Sequence, residues 1–390
     1  MKKTIFLHEP KIRSFERNEV LKCLSSGWIS PSGGNVKKFE KKLSKYTNSK
    51  LVLTNSGTSS LHLSLVLSNI TNKDEVLVPT VTFIATVNVI LYLGASPIFI
   101  DNNSSNLNCD VKKILEFLKN NTYSKNRSTF NKKTKKRIKA LIYTHVFGNI
   151  SDLSILKSEL KKRNIKFIED AAEAVGSFYK NNKHAGTQGD YGVLSFNTNK
   201  IITTSAGGAL MLKSDNDYNR ANKLIAQGKS NSQLFIHKEL GYNYGMTNIN
   251  ASIGLGQLKD IKNIIKKKKS IHKLYQGNFQ NYKNIKLIKF NSDTKPNYWL
   301  NSLELTNCNY VTLKKIIKNL NNLGIQVRPL WYPCHKQNYL RKYEKYNIIN
   351  ADCSYKKILC LPSSYFLKKK HIKYISKSIK NVVKKEIKKS

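Results

Sequence analysis

Between residues 50 and 215, short aliphatic and β-branched runs recur with stretches of helical composition between them. The strand runs are KLVLT (50–54), DEVLVPT (74–80), SPIFIDN (96–102), KALIYTHVFG (139–148) and NIKFIEDAA (164–172), with SLHLSLVLS (60–68) the helical stretch after the first. Strands separated by helices bury both faces of a sheet when the strands run parallel and the helices pack across them. The rhythm therefore predicts an α/β fold with a mostly parallel sheet, whose ligands sit beyond the carboxyl ends of the strands. From about residue 257 the pattern changes to a Lys-rich helix, QLKDIKNIIKKKKSIHKLYQGNF, followed by NYWLNSLELTN and GIQVRPLWYPC. The expected division is a large domain at 1–256 and a linker helix with a smaller α/β domain at 257–390. At 390 residues the chain exceeds the roughly 250–300 residues of a single core. No internal repeat is visible.

Charge and cysteine usage narrow the function. The 68 Lys and Arg against 24 Asp and Glu give a net charge of +44, which invites nucleic acid or an acidic membrane as partner. The excess is spread along the chain, alongside abundant Asn, Ile and Tyr, so solvated lysine accounts for it without a nucleic-acid partner. The field would still favour an anionic substrate. Two concentrations, KNRSTFNKKTKKRIK at 125–139 and VVKKEIKKS at 382–390, read as exposed loop or frayed helix. The six cysteines have no CxxC or Cys/His ligand spacing, so neither a metal site nor a disulfide framework is indicated, and a cytoplasmic setting fits. The apolar run in MKKTIFLHEPKIRS is too short for a signal segment, and nothing approaches the ~20 apolar residues of a membrane span.

Three strand ends carry chemistry. After KLVLT come Asn55, Ser56, Gly57, Thr58 and Ser59, a small-residue turn into a helix whose free N–H groups suit a phosphate. After NIKFI come Glu169 and Asp170. After GVLSF (192–196) come Asn197, Thr198, Asn199 and Lys200, followed by Ser205, Ala206, Gly207 and Gly208. Phosphate cradle, carboxylate and lysine on one rim are the parts that hold pyridoxal phosphate. Its aldehyde needs a lysine amine, and its ring nitrogen needs an ionised carboxylate to stay protonated. Lys200 is then both the anchor and the general acid/base.

The motifs resemble the sugar aminotransferases of the DegT/StrS type, enzymes of fold type I that use pyridoxal phosphate. The resemblance runs through nearly the whole chain: GWIS (27–30), NSGTSSLHL (55–63), PTVTFIAT (79–86), THVFG (144–148), IEDAAEAVGS (168–177), HAGTQGD (184–190), LSFNTNK (194–200), LGYNYGMTNINASIGLGQL (240–258), NYWLNSL (297–303) and RPLWYPCH (328–335). It implies a seven-stranded-type sheet in the large domain, Lys200 as the Schiff-base lysine and Asp170 as partner of the ring nitrogen. Gly57, Thr58 and Ser195 would bind the phosphate and Phe83 would stack on the ring. Glu173, one turn beyond Asp170 on the same helix face, would meet the ring hydroxyl. Asn243 in GYNYG would reach the phosphate in a neighbouring subunit, so the resemblance implies an obligate homodimer with shared sites. Trp28, Ser30, His145, Tyr298, Trp299, Arg328 and His335 sit in motifs resembling the family's sugar-nucleotide pocket.

Within the family, VLSFNTNKIITT, NYWLN and LPSS (361–364) are most similar to the legionaminic-acid branch, which aminates C4 of a nucleotide-linked 4-keto-6-deoxy-N-acetylhexosamine; glutamate is the expected donor. Three positions depart from the common pattern. Ser205 and Ala206 stand where relatives carry Gly-Glu, Gly245 replaces an arginine, and Glu173 occupies a position that is often glutamine. Relatives with histidine at the lysine position are dehydratases, and Lys200 argues against that chemistry. A perosamine-type or 3-keto acceptor, an amino-acid aminotransferase using Arg328 for the donor carboxylate, and a non-enzymatic basic binding protein are the competing readings.

Overall fold

The computed structural model describes residues 4–231 and 233–387. The central sheet is built from β1 (Lys50–Thr54), β2 (Asp74–Pro79), β3 (Ser96–Ile100), β4 (Thr122–Lys125), β5 (Ser128–Asn131), β6 (Arg137–Thr144), β7 (Lys166–Asp170), β8 (Tyr191–Ser195) and β9 (Gly208–Leu212). Seven of these lie in the order β1-β9-β8-β7-β6-β2-β3. β8, β7, β6, β2 and β3 are mutually parallel, and β9 runs antiparallel to both β8 and β1. β1 therefore points the same way as β8, and six carboxyl ends share one rim with the start of β9. The strands are buried on both faces, as helices on each side of a parallel sheet require.

The helices that frame the rim are α1 (Ser14–Ser25), α2 (Gly34–Thr47), α3 (Gly57–Leu67) and α4 (Ala85–Tyr92), with α5 (Val111–Asn120), α6 (Ser154–Lys162) and α7 (Asp215–Ile225) following, then α8 (Asn248–Lys259) and α9 (Ile261–Phe279). α3 is buried almost all round, with Leu61, Leu63 and Leu65 in the core and Ser60 and Ser64 bonding inside it. The small residues of α8 seat it against its own subunit: a Cβ on Gly254 would stand 2.6 Å from the Phe39 ring of α2, and one on Gly256 2.7 Å from Glu16 of α1. The single linker helix expected at 257–279 is two helices, broken at Asp260. The basic stretch expected as loop or frayed helix at 125–139 holds the turn and second strand of the β4–β5 hairpin and the start of β6, and Phe130 stacks across the hairpin on Tyr123 of β4 at 5.6 Å. The other basic stretch continues a helix over Lys369–Ile387, and its last three residues lie outside those described.

The smaller sheet joins Ile285–Leu287, Asn301–Leu305, Ile358–Leu361 and Arg328–Pro329, all antiparallel. Ile5 pairs with Ile325 of the smaller unit, and Lys345–Tyr346 adds a parallel strand to β3 of the large sheet. No helix among the described residues is long and apolar enough to cross a membrane.

Asp101, fully buried at the end of β3, clamps that returning segment. It accepts bonds from Lys113 Nζ (2.6 Å) and from the N–H groups of Ile349 (2.9 Å), Asn350 (2.8 Å) and Ala351 (2.8 Å). Burial alone would raise its carboxyl pKa, but Lys113 and the three N–H groups outweigh burial and hold it below the ordinary value. A depressed folded-state pKa adds stability above the unfolded carboxyl's pKa, and that stability is lost as pH falls through the folded value. Asp101→Asn should therefore cost about 2–4 kcal/mol in urea unfolding at pH 7. The gap to wild type should narrow as pH falls below about 4.

Candidate active site

A cavity of 280 Å³ opens at the rim where β1, β7, β8 and β6 end and β9 begins. Its floor depends on glycines where backbones touch. A Cβ on Gly57 would stand 2.8 Å from Ser195 Cβ, and one on Gly208 2.5 Å from the Ser56 carbonyl oxygen. The turn after β1 can thus lie directly against β8 and β9. Ser56 caps α3 by accepting the Ser59 N–H at 3.0 Å. Gly57 and Thr58 begin the helix, so their N–H groups and the positive end of its dipole face the cavity beside Ser195.

Asp170, the last residue of β7, is buried and faces the same space. Thr86 Oγ1, in the first turn of α4, donates to its Oδ2 at 2.7 Å, and the Ala172 N–H to its Oδ1 at 3.2 Å. Burial raises its pKa above the ordinary carboxylate value despite Thr86, Ala172 and Lys200. A cation placed against it would restore full ionisation.

The helix expected after Asp170 is absent. Residues 171–177 form consecutive turns, closed by Ala174 N–H to Ala171 O and Ser177 N–H to Ala174 O at 2.9 Å each. The turns still deliver Glu173 to the lysine. Glu173 Oε1 accepts from Lys200 Nζ at 3.1 Å, and Oε2 accepts the Phe147 N–H at 2.8 Å. Burial raises the Glu173 pKa, with Lys200 opposing. Lys200 stands in the turn between β8 and β9, its Nζ 4.5 Å from the Trp299 ring centroid. Trp299 is locked in turn, its Nε1–H donating to Asn199 O at 2.6 Å and its N–H to Asn297 Oδ1 at 2.9 Å. Asn297 Nδ2 donates to the carbonyls of Glu173 and Val175 at 2.8 and 2.9 Å. Phe83 is 56% exposed at the cavity edge, where its face is free to cover a ring.

These groups fit pyridoxal phosphate. The Gly57–Ser195 cradle suits its phosphate, the buried Asp170 carboxylate needs a cation such as a protonated ring nitrogen, and the Lys200 amine is held in the same space.

The positions expected for the sugar nucleotide are distributed differently. His145 is fully buried behind the cavity and pairs through Nε2 with Glu169 at 2.7 Å. Glu169 is also held by Tyr179 Oη–H and by the N–H groups of Gly186, Gln188 and Gly189. His335 is buried against Thr80 Oγ1 (2.6 Å) and Asp352 (3.3 Å). Trp28 and Ser30 are exposed in the loop after α1, and Arg328 is exposed on the smaller sheet. None of the five lines the cavity of the single chain, whereas Trp299 does. Asn243 is exposed, and its backbone oxygen accepts from Asn55 Nδ2 at 3.0 Å. Sequence reasoning missed Thr86, Asn297 and Trp331. Thr86 lies inside PTVTFIAT, three residues after Phe83, but nothing in the linear order brings it to a carboxylate 84 residues away.

The sequence pattern described as the DegT/DnrJ/EryC1/StrS aminotransferase family matches residues 10–380. GDP-perosamine synthase of Escherichia coli O157:H7 is 34% identical over 97% of this chain and 98% of its own. The UDP-4-amino-4,6-dideoxy-N-acetyl-beta-L-altrosamine transaminase of Campylobacter jejuni (serotype O:2, strain NCTC 11168) is 28% identical over 92% of each chain. Among solved structures, Helicobacter pylori PseC, an aminotransferase involved in the biosynthesis of pseudoaminic acid, shares the fold at a TM-score of 0.88. It is 22% identical and the match covers 98% of this chain and 100% of that one. The lysine, carboxylate and phosphate cradle on one rim, with a match across nearly the full length, establish that this chain belongs to the DegT/DnrJ/EryC1/StrS family and is a sugar aminotransferase dependent on pyridoxal 5'-phosphate.

Proposed function

We propose that the chain moves an amino group from glutamate to C4 of a nucleotide-linked 4-keto-6-deoxy-N-acetylhexosamine, on the way to an amino sugar or a legionaminic-type acid of a surface glycan. The observation that carries the reading is the cavity wall. Among the described residues lining it in the single chain, Lys200 is the only cation. The outer wall is instead Trp299, Trp331, Asn197 and Asn199, flat apolar faces and amides that suit a sugar ring. The printed name of the Campylobacter relative, a UDP-linked 4-amino-4,6-dideoxy-N-acetyl sugar transaminase, supports the position and the class. A second reading, a perosamine-type acceptor on GDP, is favoured by the Escherichia relative.

Bound pyridoxal phosphate supplies the electron sink for breaking the bond to hydrogen at the amine-bearing carbon. The residues divide the remaining work. Gly57, Thr58 and Ser195 hold the phosphate, and Phe83 covers one face of the ring. Asp170 keeps a proton on the ring nitrogen. The Lys200 amine takes the proton from carbon and returns it within the cavity. Trp299 and Trp331 narrow the access of water.

Loading the enzyme with its amino group and offering UDP- and GDP-linked 4-keto and 3-keto sugars identifies the acceptor by the mass of the product. Amination of a 4-keto-6-deoxy-N-acetyl sugar is expected, and amination of 2-keto acids alone would overturn the sugar reading. Asp170→Asn should keep the fold and most cofactor binding while turnover falls by about a thousandfold or more, because an amide cannot hold the ring nitrogen's proton. Near-normal turnover would assign that role to another residue.

The site is read as shared between two chains. Asn243 projects from GYNYG, and Trp28, Phe235 and Leu240 leave apolar surface (64%, 73% and 81% exposed) for a second copy to cover. Mixing inactive Lys200→Ala with inactive Asn243→Asp chains should restore up to about a quarter of wild-type activity, since half the dimers carry one intact site of two. Persistent inactivity after demonstrated subunit exchange would rule out sharing.

A further inference from the structure

Asp170 and Glu173, three residues apart at the end of β7, are both buried carboxylates, yet they are held in different ways. Asp170 has its oxygens engaged by a hydroxyl and an N–H, and keeps a face toward the cavity. Glu173 has one oxygen on Lys200 Nζ at 3.1 Å. Its other oxygen is fixed by the Phe147 N–H, and that N–H is aimed by an uncommon backbone: Phe147 has φ 58°, the left-handed region that a bulky residue rarely enters. Strain of this kind persists where surrounding structure demands it, and it clusters at functional sites. Asn297 pins the Glu173 carbonyl from the opposite side at 2.8 Å. Three segments distant in sequence thus converge to point one carboxylate oxygen at one amine. An amide at 173 could keep the Phe147 contact by accepting through its oxygen, but it would lose the charge at Lys200.

We propose that Glu173 is the holder of the free Lys200 ammonium, taking the lysine's charge in the half of the cycle in which Lys200 is not joined to the cofactor. The proposal rests on the reading of Lys200 as the cofactor's anchor. No bond to carbon forms or breaks in this step: a proton sits on Nζ, its charge faces Oε1, and the pair is neutral. When Lys200 is joined to the cofactor the ammonium is gone, and Glu173 Oε1 loses the partner it has at 3.1 Å. The carboxylate therefore stabilises one resting form over the other, a role that glutamine cannot fill. The charged or titratable groups around the pair are Asp170 from β7, His8 from the N-terminal arm and Cys360 from the smaller sheet. Asp170 adds a second negative charge acting on Lys200. His8, whose pKa burial lowers with Lys268 and Lys200 adding to the effect, contributes none while neutral.

The test uses cofactor-free protein first, so that it does not depend on catalysis. Lys200 reactivity toward trinitrobenzenesulfonate is followed by peptide mapping from pH 6 to pH 10 in wild type and Glu173→Gln. Loss of the carboxylate should free the amine earlier, making the variant about tenfold more reactive at pH 7, with the two curves meeting at high pH. Coincident curves, or a slower variant, would overturn the proposal, and Glu173→Asp, which shortens the reach, should fall between. In holoenzyme at a fixed glutamate to 2-oxoglutarate ratio, the absorbance of Glu173→Gln should shift about tenfold toward the lysine-joined form. An unchanged ratio would also overturn it. A general structural defect would instead lower thermal stability equally with and without Lys200→Met, whereas the proposed pair predicts that Lys200→Met removes most of the Glu173→Gln effect. If borohydride fixes the cofactor to a residue other than Lys200, the function reading fails while the cofactor-free result stands by itself.

Discussion

Gly57 and Gly208 let the turn after β1 lie in backbone contact with β8 and β9, and the geometry of the rim follows from that contact. Side chains at either position would meet Ser195 or the Ser56 carbonyl at 2.8 Å or less. The turn would then have to lift away from the sheet, carrying the α3 N-terminus with it. The antiparallel β9 is the second half of this constraint. Its start lies among the carboxyl ends of its neighbours, so the loop joining β8 to β9 returns over the rim. Lys200 is in that loop, and it reaches the cavity because β9 reverses the chain.

Around this floor the polar groups are arranged by burial. Asp170, Glu173 and Glu169 are all buried within five residues of one another, a concentration of negative charge that water would ordinarily solvate. Each has been given a different remedy. Glu169 is surrounded by His145, Tyr179 and three N–H groups, which together overcome the effect of burial and lower its pKa. Glu173 has Lys200. Asp170 is bonded by two neutral donors and feels Lys200 only at a distance; like Glu173 it remains raised, and with no cation bonded to it directly it is the carboxylate that gains most from a cationic ligand. The same logic explains why His145, a plausible pocket residue by motif, is held behind the wall as the partner of Glu169.

The sheet and its strand ends were legible in the residues because burial on both faces leaves a pattern: runs such as KLVLT and DEVLVP have no polar alternation to confuse with an exposed strand. Lys200, Asp170 and the Ser56–Thr58 turn were legible because each follows such a run, and strand ends of a parallel sheet share a rim. The helix inferred after Asp170 failed for a local reason. EDAAEAVG has helical composition, but the N–H and carbonyl groups of 171–177 bond instead with each other in turns and with His184 and Asn297. The 125–139 stretch failed in a similar way, since its lysines concealed the strand whose Phe130 stacks on Tyr123, just before the stretch, to close a hairpin.

Composition and order alone determined that this chain would build a parallel α/β sheet and place a small-residue turn into a helix, a carboxylate and a lysine at its carboxyl rim, because strand burial and turn chemistry are local and periodic. The tertiary structure alone decided which groups touch. Thr86 meets Asp170, Phe147 meets Glu173, and Trp299 crosses from the segment after α9 to cover Lys200. Those contacts span from 26 to about a hundred residues, and they depend on loop paths and strand register. Neither has a one-dimensional signature, since the same hydroxyl, N–H or indole could satisfy many partners until packing leaves it one.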